Sequence, residues 1–141
     1  MAYISFQPSD HFNPLLWSGT GGSSAKTGVG FAPDFAWIKS RTNTENHCLS
    51  DTVRGANKQL RSDVDEAESS GTDDLTAFDG DGFTLGNGGK VNATGQTYVG
   101  WSWKAGTTSG IAGSPSITPT SYSFNATSGF SIIEYTGNGV S

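Results

Sequence analysis

Cysteine, charge and long apolar runs are all scarce in this chain of 141 residues, and each scarcity removes a class of protein. A single cysteine, Cys48, can build neither an internal disulfide framework nor the spaced thiolates of a zinc site, and between His47 and Leu49 it reads as a small buried hydrophobe. Charged residues are only 15%, Asp plus Glu outnumber Lys plus Arg by 13 to 8, and the net charge is −5. That balance argues against nucleic acid and anionic membranes, which need clustered cations. No stretch approaches the roughly 20 apolar residues of a membrane span. The opening "MAYISFQPSDHFN" lacks both a basic start and a continuous apolar core, so neither a secretory signal nor export by that route is expected.

Glycine is abundant, 20 residues of it, with many Ser, Thr and Asn. Short strands joined by tight turns have that composition and long helices do not, so the expected class is all-β, at a length that suits one domain with some linker. Strand candidates are "PLLWS" at 14–18, "FAWIK" at 35–39, and shorter pieces in "HCLSD" at 47–51 and "NKQLRSD" at 57–63. An Asp-Gly hairpin sets Leu75 and Ala77 against Phe83 and Leu85 across Asp79-Gly80-Asp81-Gly82. The most regular run, "QTYVGWSWKA" at 96–105, alternates Thr97, Val99, Trp101 and Trp103 with Gln96, Tyr98, Gly100 and Ser102. It predicts a central strand whose tryptophan face, with Trp37, fills a core. "GTGGSSAKTG" at 19–28 and "GNGGKVNATG" at 86–95 read as glycine-rich loops. The expected organisation is an arm over residues 1–13, a module over 14–105, a Gly/Ser/Thr-rich linker with short strands over 106–128, and a strand over 129–141.

Motifs with chemical meaning fail on spacing. Lys26-Thr27 lies in glycine-rich sequence, but Ala25 precedes the lysine and Gly28-Val29-Gly30 bars the helix that a phosphate loop needs. Asp79 and Asp81 share a turn without the closing glutamate of an EF-hand, so a plain hairpin is the reading and weak surface calcium binding its rival. His47 and Cys48 are adjacent, so on a strand they point to opposite faces and make no dyad. Ser50-Asp51 lacks the glycines of a nucleophile elbow. No enzymatic activity, metal or cofactor is expected. Eight acids between Asp63 and Asp81 form a solvated segment with which Arg41, Arg54, Arg61 and Lys104 can pair. Trp17 lies outside the most regular strand patterns; Trp17, Arg41 and Arg54 are the candidate ligand contacts, with loops 41–46 and 86–95 around them.

The end of the chain echoes its beginning. "FNPLLWSGTG" at 12–21 aligns with "FSIIEYTGNG" at 130–139, setting Phe12 on Phe130, Leu15 on Ile133, Trp17 on Tyr135, Ser18 on Thr136, Gly19 on Gly137 and Gly21 on Gly139. A period of about 118 residues follows, which makes 129–141 the expected first strand of a second module.

Five ordered motifs, "YISFQPSDHFN", "GVGFAPDFAWIKSRT", "DTVRGANKQLRSD", "LTAFDGDGFTLG" and "VNATGQTYVGWSWKAG", resemble a module of virion proteins from marine tailed bacteriophages, over residues 3–106. That module is itself a domain of unknown function. The resemblance implies an antiparallel, lectin-like β-sandwich of the concanavalin A or SPRY jelly-roll type, repeated along a tail fibre or similar appendage. A capsid decoration and a carbohydrate-binding host-receptor module are the alternative roles. It implies an N-terminal docking arm in which Tyr3, Phe6, His11 and Phe12 make virion or oligomer contacts. The implied partners are other tail or capsid proteins, further copies in a homotrimer and a host-surface glycan, and the implied location is the virion, assembled in the host bacterial cytoplasm.

Overall fold

Glycine-punctuated alternations of apolar and small polar residues become strands, and the fold of the described residues is all-β. The computed structural model describes residues 7–111 and 115–139. In chain order the strands are β1 (Phe12–Ser18), β2 (Ser24–Thr27), β3 (Phe35–Ser40), β4 (Cys48–Asp51), β5 (Lys58–Gln59), β6 (Ser69–Ser70), β7 (Leu75–Asp79), β8 (Gly82–Leu85), β9 (Thr97–Trp103), β10 (Ser121–Asn125) and β11 (Phe130–Glu134). A 3-10 turn at Pro8–Asp10 precedes β1, and one helical turn, α1, occupies Gly89–Asn92. Every pairing is antiparallel: β1-β9-β3-β4 form one sheet, β2-β8-β7 a second, and β5-β6 and β10-β11 are two-stranded.

The two larger sheets pack in sandwich fashion. Ala36, Ile38 and Cys48 of the four-stranded sheet meet Leu75, Phe83 and Leu85 of the three-stranded one, and α1 adds Val91. Ile38, Phe83, Leu85 and Val91 are essentially excluded from water. Burying a side chain of that size stabilises by about 1.5–3 kcal/mol, so these few residues carry much of the fold.

The alternation of residues 97–103 is present, but its faces are the reverse of the expectation. Tyr98, Gly100 and Ser102 point into the core, whereas Thr97, Val99, Trp101 and Trp103 are half-buried on the outside. Trp17 and Phe83 explain the reversal. A Cβ on Gly100 would stand 3.0 Å from the Trp17 ring and 3.4 Å from that of Phe83, so only glycine leaves room for both. Trp17 fills the space, stacked on Tyr98 at 5.7 Å and edge-on to Phe83 at 5.8 Å. Period-two geometry then turns the β9 tryptophans outward.

Smaller differences have local causes. Residues 19–28 are not all loop, because Ser24–Thr27 pairs with β8 as β2. The approach is close: Gly82, at φ +149, has the Lys26 carbonyl where a Cβ would sit. The 75–85 hairpin forms with Gly80 and Asp81 between the paired Asp79 and Gly82, and the positive φ falls on Gly82 rather than on Gly80. Of residues 57–63 only Lys58–Gln59 is a strand, paired with Ser69–Ser70, while Leu60 bridges to Leu49. Residues 86–95 hold α1 and the wholly buried Asn92, whose amide donates to the Gly22 and Gly86 carbonyls and whose Oδ1 accepts the Thr20 N–H.

The chain ends flank the sandwich. Residues 1–6, with Tyr3 and Phe6 of the expected arm, lie outside the described residues. Residues 7–13 are held against the body: Phe12 and Asn13 belong to β1, the His11 carbonyl accepts the Lys104 N–H, and the Asn13 amide bridges the Ser9 and Val29 carbonyls. At the other end β10 and β11 form a hairpin attached through a Thr107–Phe124 bridge, a 2.8 Å bond from the Gly106 N–H to Ser123 Oγ, and the Phe130 ring.

Candidate functional site

An isolated sandwich solvates the outer faces of its sheets, so an outer face made of aromatics calls for an explanation. The parity of β1, β9 and β3 sends Phe12, Pro14 and Leu16, then Val99, Trp101 and Trp103, then Phe35, Trp37 and Lys39 to that face. The register sets Phe12 and Phe35 on either side of Trp103, and Pro14 and Trp37 on either side of Trp101.

The face has a covered half and an open half. Around Trp103 the rings of Phe12 (4.9 Å), Phe35 (5.4 Å) and Phe130 (5.8 Å, nearly parallel) make a closed cluster. Beyond it Pro14 is exposed and Leu16 is 62% exposed. Trp37 lies edge-on to Trp101 at 6.1 Å, and these two with His47 and Trp103 line a shallow concavity of about 310 Å³. Two of its polar atoms satisfy each other: the Trp37 indole N–H donates to His47 Nδ1 at 2.7 Å. An indole nitrogen only donates, so that bond fixes Nδ1 as the acceptor.

The residues singled out from the sequence are not brought together. Trp17 is turned inward, its N–H donating to the Val91 carbonyl at 3.0 Å. Arg41 is exposed just beyond the Ser40 end of β3. Arg54 lies beyond the other end, held by Asp51 at 2.6 Å, Glu68 at 3.1 Å and the Leu49 carbonyl at 3.0 Å. The length of β3 alone separates the two ends by about 17 Å at the usual rise of a strand. His11 touches the Asn125 amide through Nδ1 at 3.1 Å, so it faces the β10–β11 hairpin.

The remaining titratable groups serve the fold. Asp81 accepts the Gly30 and Gly28 N–H groups, and these two bonds, Gly30's first, hold its carboxyl below the ordinary value. Asp79 accepts the Thr84 hydroxyl at 2.8 Å, so both turn carboxylates are engaged by protein donors. Cys48 Sγ meets Gln59 Oε1 at 3.0 Å, Gln59 bonds Asp74, and Asp74 pairs with Lys90 at 3.1 Å. Burial first, and then the Asp74 charge, push the Cys48 thiol up to about 12, which is the opposite of what a nucleophile needs. Cys48 and His47 therefore look in different directions, one to Gln59 and one to Trp37. Among the described residues no group of three or more His, Cys, Asp or Glu side chains is placed to hold a metal ion.

The outer face was partly visible beforehand. Phe12, Pro14 and Leu16 share parity in "FNPLLWS", and Gly100 and Ser102 are small residues of the kind that let a neighbouring layer come close. Both signals mark the tryptophans of β9 as outward-facing. A family model described as a domain of unknown function (DUF7483) matches residues 7–141. No curated protein and no solved structure matches the chain.

Proposed function

The chain belongs to the DUF7483 family, and from that premise we propose that it is a structural, non-enzymatic module of a tailed-bacteriophage virion, working in a tail fibre or similar appendage. The observation that carries the reading is the open aromatic face of the four-stranded sheet, in which Leu16 is 62% exposed opposite Val99 and shares the face with the Trp101–Trp37 pair. A surface of that kind is an assembly surface, because its apolar area is removed from water only by packing against another protein. The resemblance of the five motifs to virion modules supplies the context of this proposal, and with it a lectin-like, concanavalin A or SPRY type of sandwich and a homotrimeric appendage. Tail and capsid positions are separated by an electron-microscopy map of the virion with the chain labelled. Density at the tail or its fibres supports the reading, density on the capsid moves the module to a decoration, and absence of the chain from purified virions overturns it.

The Trp37–Trp101 concavity favours one second reading, a carbohydrate-binding module that stacks host sugars on those rings. Sugar sites also need free polar groups around the rings, and the Trp37 N–H is already given to His47. Saturable binding on a host-glycan array, lost in Trp101→Ala, would establish the sugar reading; absence of binding removes it.

A further inference from the structure

The hairpin at residues 121–134 differs from an ordinary outer layer in what it leaves bare. Tyr135 is 60% and Ile133 51% exposed, and with Leu16 they are the most exposed large apolar residues described. Under the offset that sets Phe12 on Phe130, Ile133 corresponds to Leu15 and Tyr135 to Trp17. Those two counterparts share the inward parity of β1, and Trp17 packs on Tyr98 and Phe83. The solvent-facing pair thus occupies positions that are interior in the first sandwich.

Three further correspondences share the offset. The identity extends upstream to Ser5-Phe6 and Ser123-Phe124, so that Ser5, Phe6, Phe12, Gly19 and Gly21 all recur. A single turn leads into the strand in both places, and its closing donors share the offset: the His11 N–H bonds the Pro8 carbonyl before Phe12, and the Gly129 N–H bonds the Asn125 carbonyl, one residue further back, before Phe130. Gly21 and Gly139 take nearly the same left-handed φ, +73 and +71. Gly19 is needed where it stands, because the Ala93 carbonyl occupies the place of its Cβ, yet Gly137 has nothing near it. A glycine with no local reason is explained when its crowding neighbour belongs to a part still to be added.

We infer that residues 123–139 are the opening of a second copy of this domain, and that the exposed Ile133/Tyr135 face is the interior face of that copy's first strand, built to receive a second set of the layers formed by β2 to β9. Trp103, whose ring meets both Phe12 and Phe130, is then the joint between copies. This inference does not depend on a virion role, and the virion map and the test below fail separately.

The test joins residues 22–106 of this sequence directly after Gly139, placing them where the offset puts their counterparts. A second cooperative unit is expected: hydrogen exchange shows roughly twice as many protected amides as in the present chain, with protection now reaching Ile133 and Tyr135. Ile133→Asp with Tyr135→Asp should abolish the second unit and spare the first. An appended segment that exchanges like an unfolded chain overturns the inference. In the present chain, Tyr135→Ser is expected to leave the melting temperature unchanged while Trp17→Ser abolishes the cooperative transition. A Tyr135→Ser melting temperature that falls markedly would make the hairpin an integral layer of this domain and would equally overturn it.

Discussion

Gly100 and Cys48 show how single positions set the interior. Gly100 is paired with Leu15 on one side and Ile38 on the other, and its missing Cβ is the space into which Trp17 and Phe83 reach. Trp17 cannot retreat, because its N–H is held by the Val91 carbonyl and its ring lies on Tyr98. Gly100→Ala should therefore destabilise the chain by about 1–3 kcal/mol through overpacking, read as a lower urea midpoint with an unchanged slope. Cys48 gives a prediction in pH. Its thiol is raised from 9.0 to about 12, so the folded state favours the neutral form. That contribution is complete below the unfolded value and is lost as pH rises from about 9 towards 12, so stability should decline across that window and Cys48→Ser should flatten the decline. At pH 8 a thiol reagent should label Cys48 at the rate at which the protein opens, with full labelling only in denaturant; rapid labelling of the native chain would contradict the burial argument.

At the level of elements, β10–β11 rests on the sandwich through few contacts, of which the Phe130 ring on Trp103 and Phe35 is the largest apolar one. A half-buried phenylalanine contributes about 1.4 kcal/mol, which corresponds to about a tenfold change in the population of an open state. Phe130→Ser should accelerate proteolytic cleavage within residues 115–134 by about that factor while the urea transition of the sandwich stays in place. β9, β3 and the β7–β8 hairpin were legible in the sequence because period two and a turn between paired apolar residues are local signals. The facing of β9 was carried only by the small Gly100 and Ser102 and by the parity of "FNPLLWS", since alternation itself defines two faces without saying which one meets Phe83, a residue from another sheet. β2 was hidden for a related reason: "SAKT" has no strand signal of its own and is extended because β8 lies against it, close enough to require Gly82. The aromatic site was misassigned through the same step, as large apolar residues on a regular strand suggest a core, while the small residues between them mark the side on which another layer packs.

For the molecule as a whole the four-stranded sheet has an unusual distribution of burial: Gly100 and Ser102 of β9 are inside with Tyr98, while its two tryptophans are outside. If the outer apolar residues hold the domain together, replacing them with polar ones costs core energies of 2–5 kcal/mol; if they are there for a partner, the isolated chain hardly registers the change. Leu16 and Val99 face each other on the open half, with Leu16 the most exposed large hydrophobic residue described. Leu16→Lys combined with Val99→Thr should shift stability by no more than about 0.5–1 kcal/mol, because neither side chain reaches the interface between the sheets. The same pair should sharply lower the binding of a hydrophobic dye to the native chain and raise its solubility limit, since the open end of the apolar patch becomes polar. A loss of several kcal/mol with dye binding unchanged would mean that this face is a second core of the domain itself.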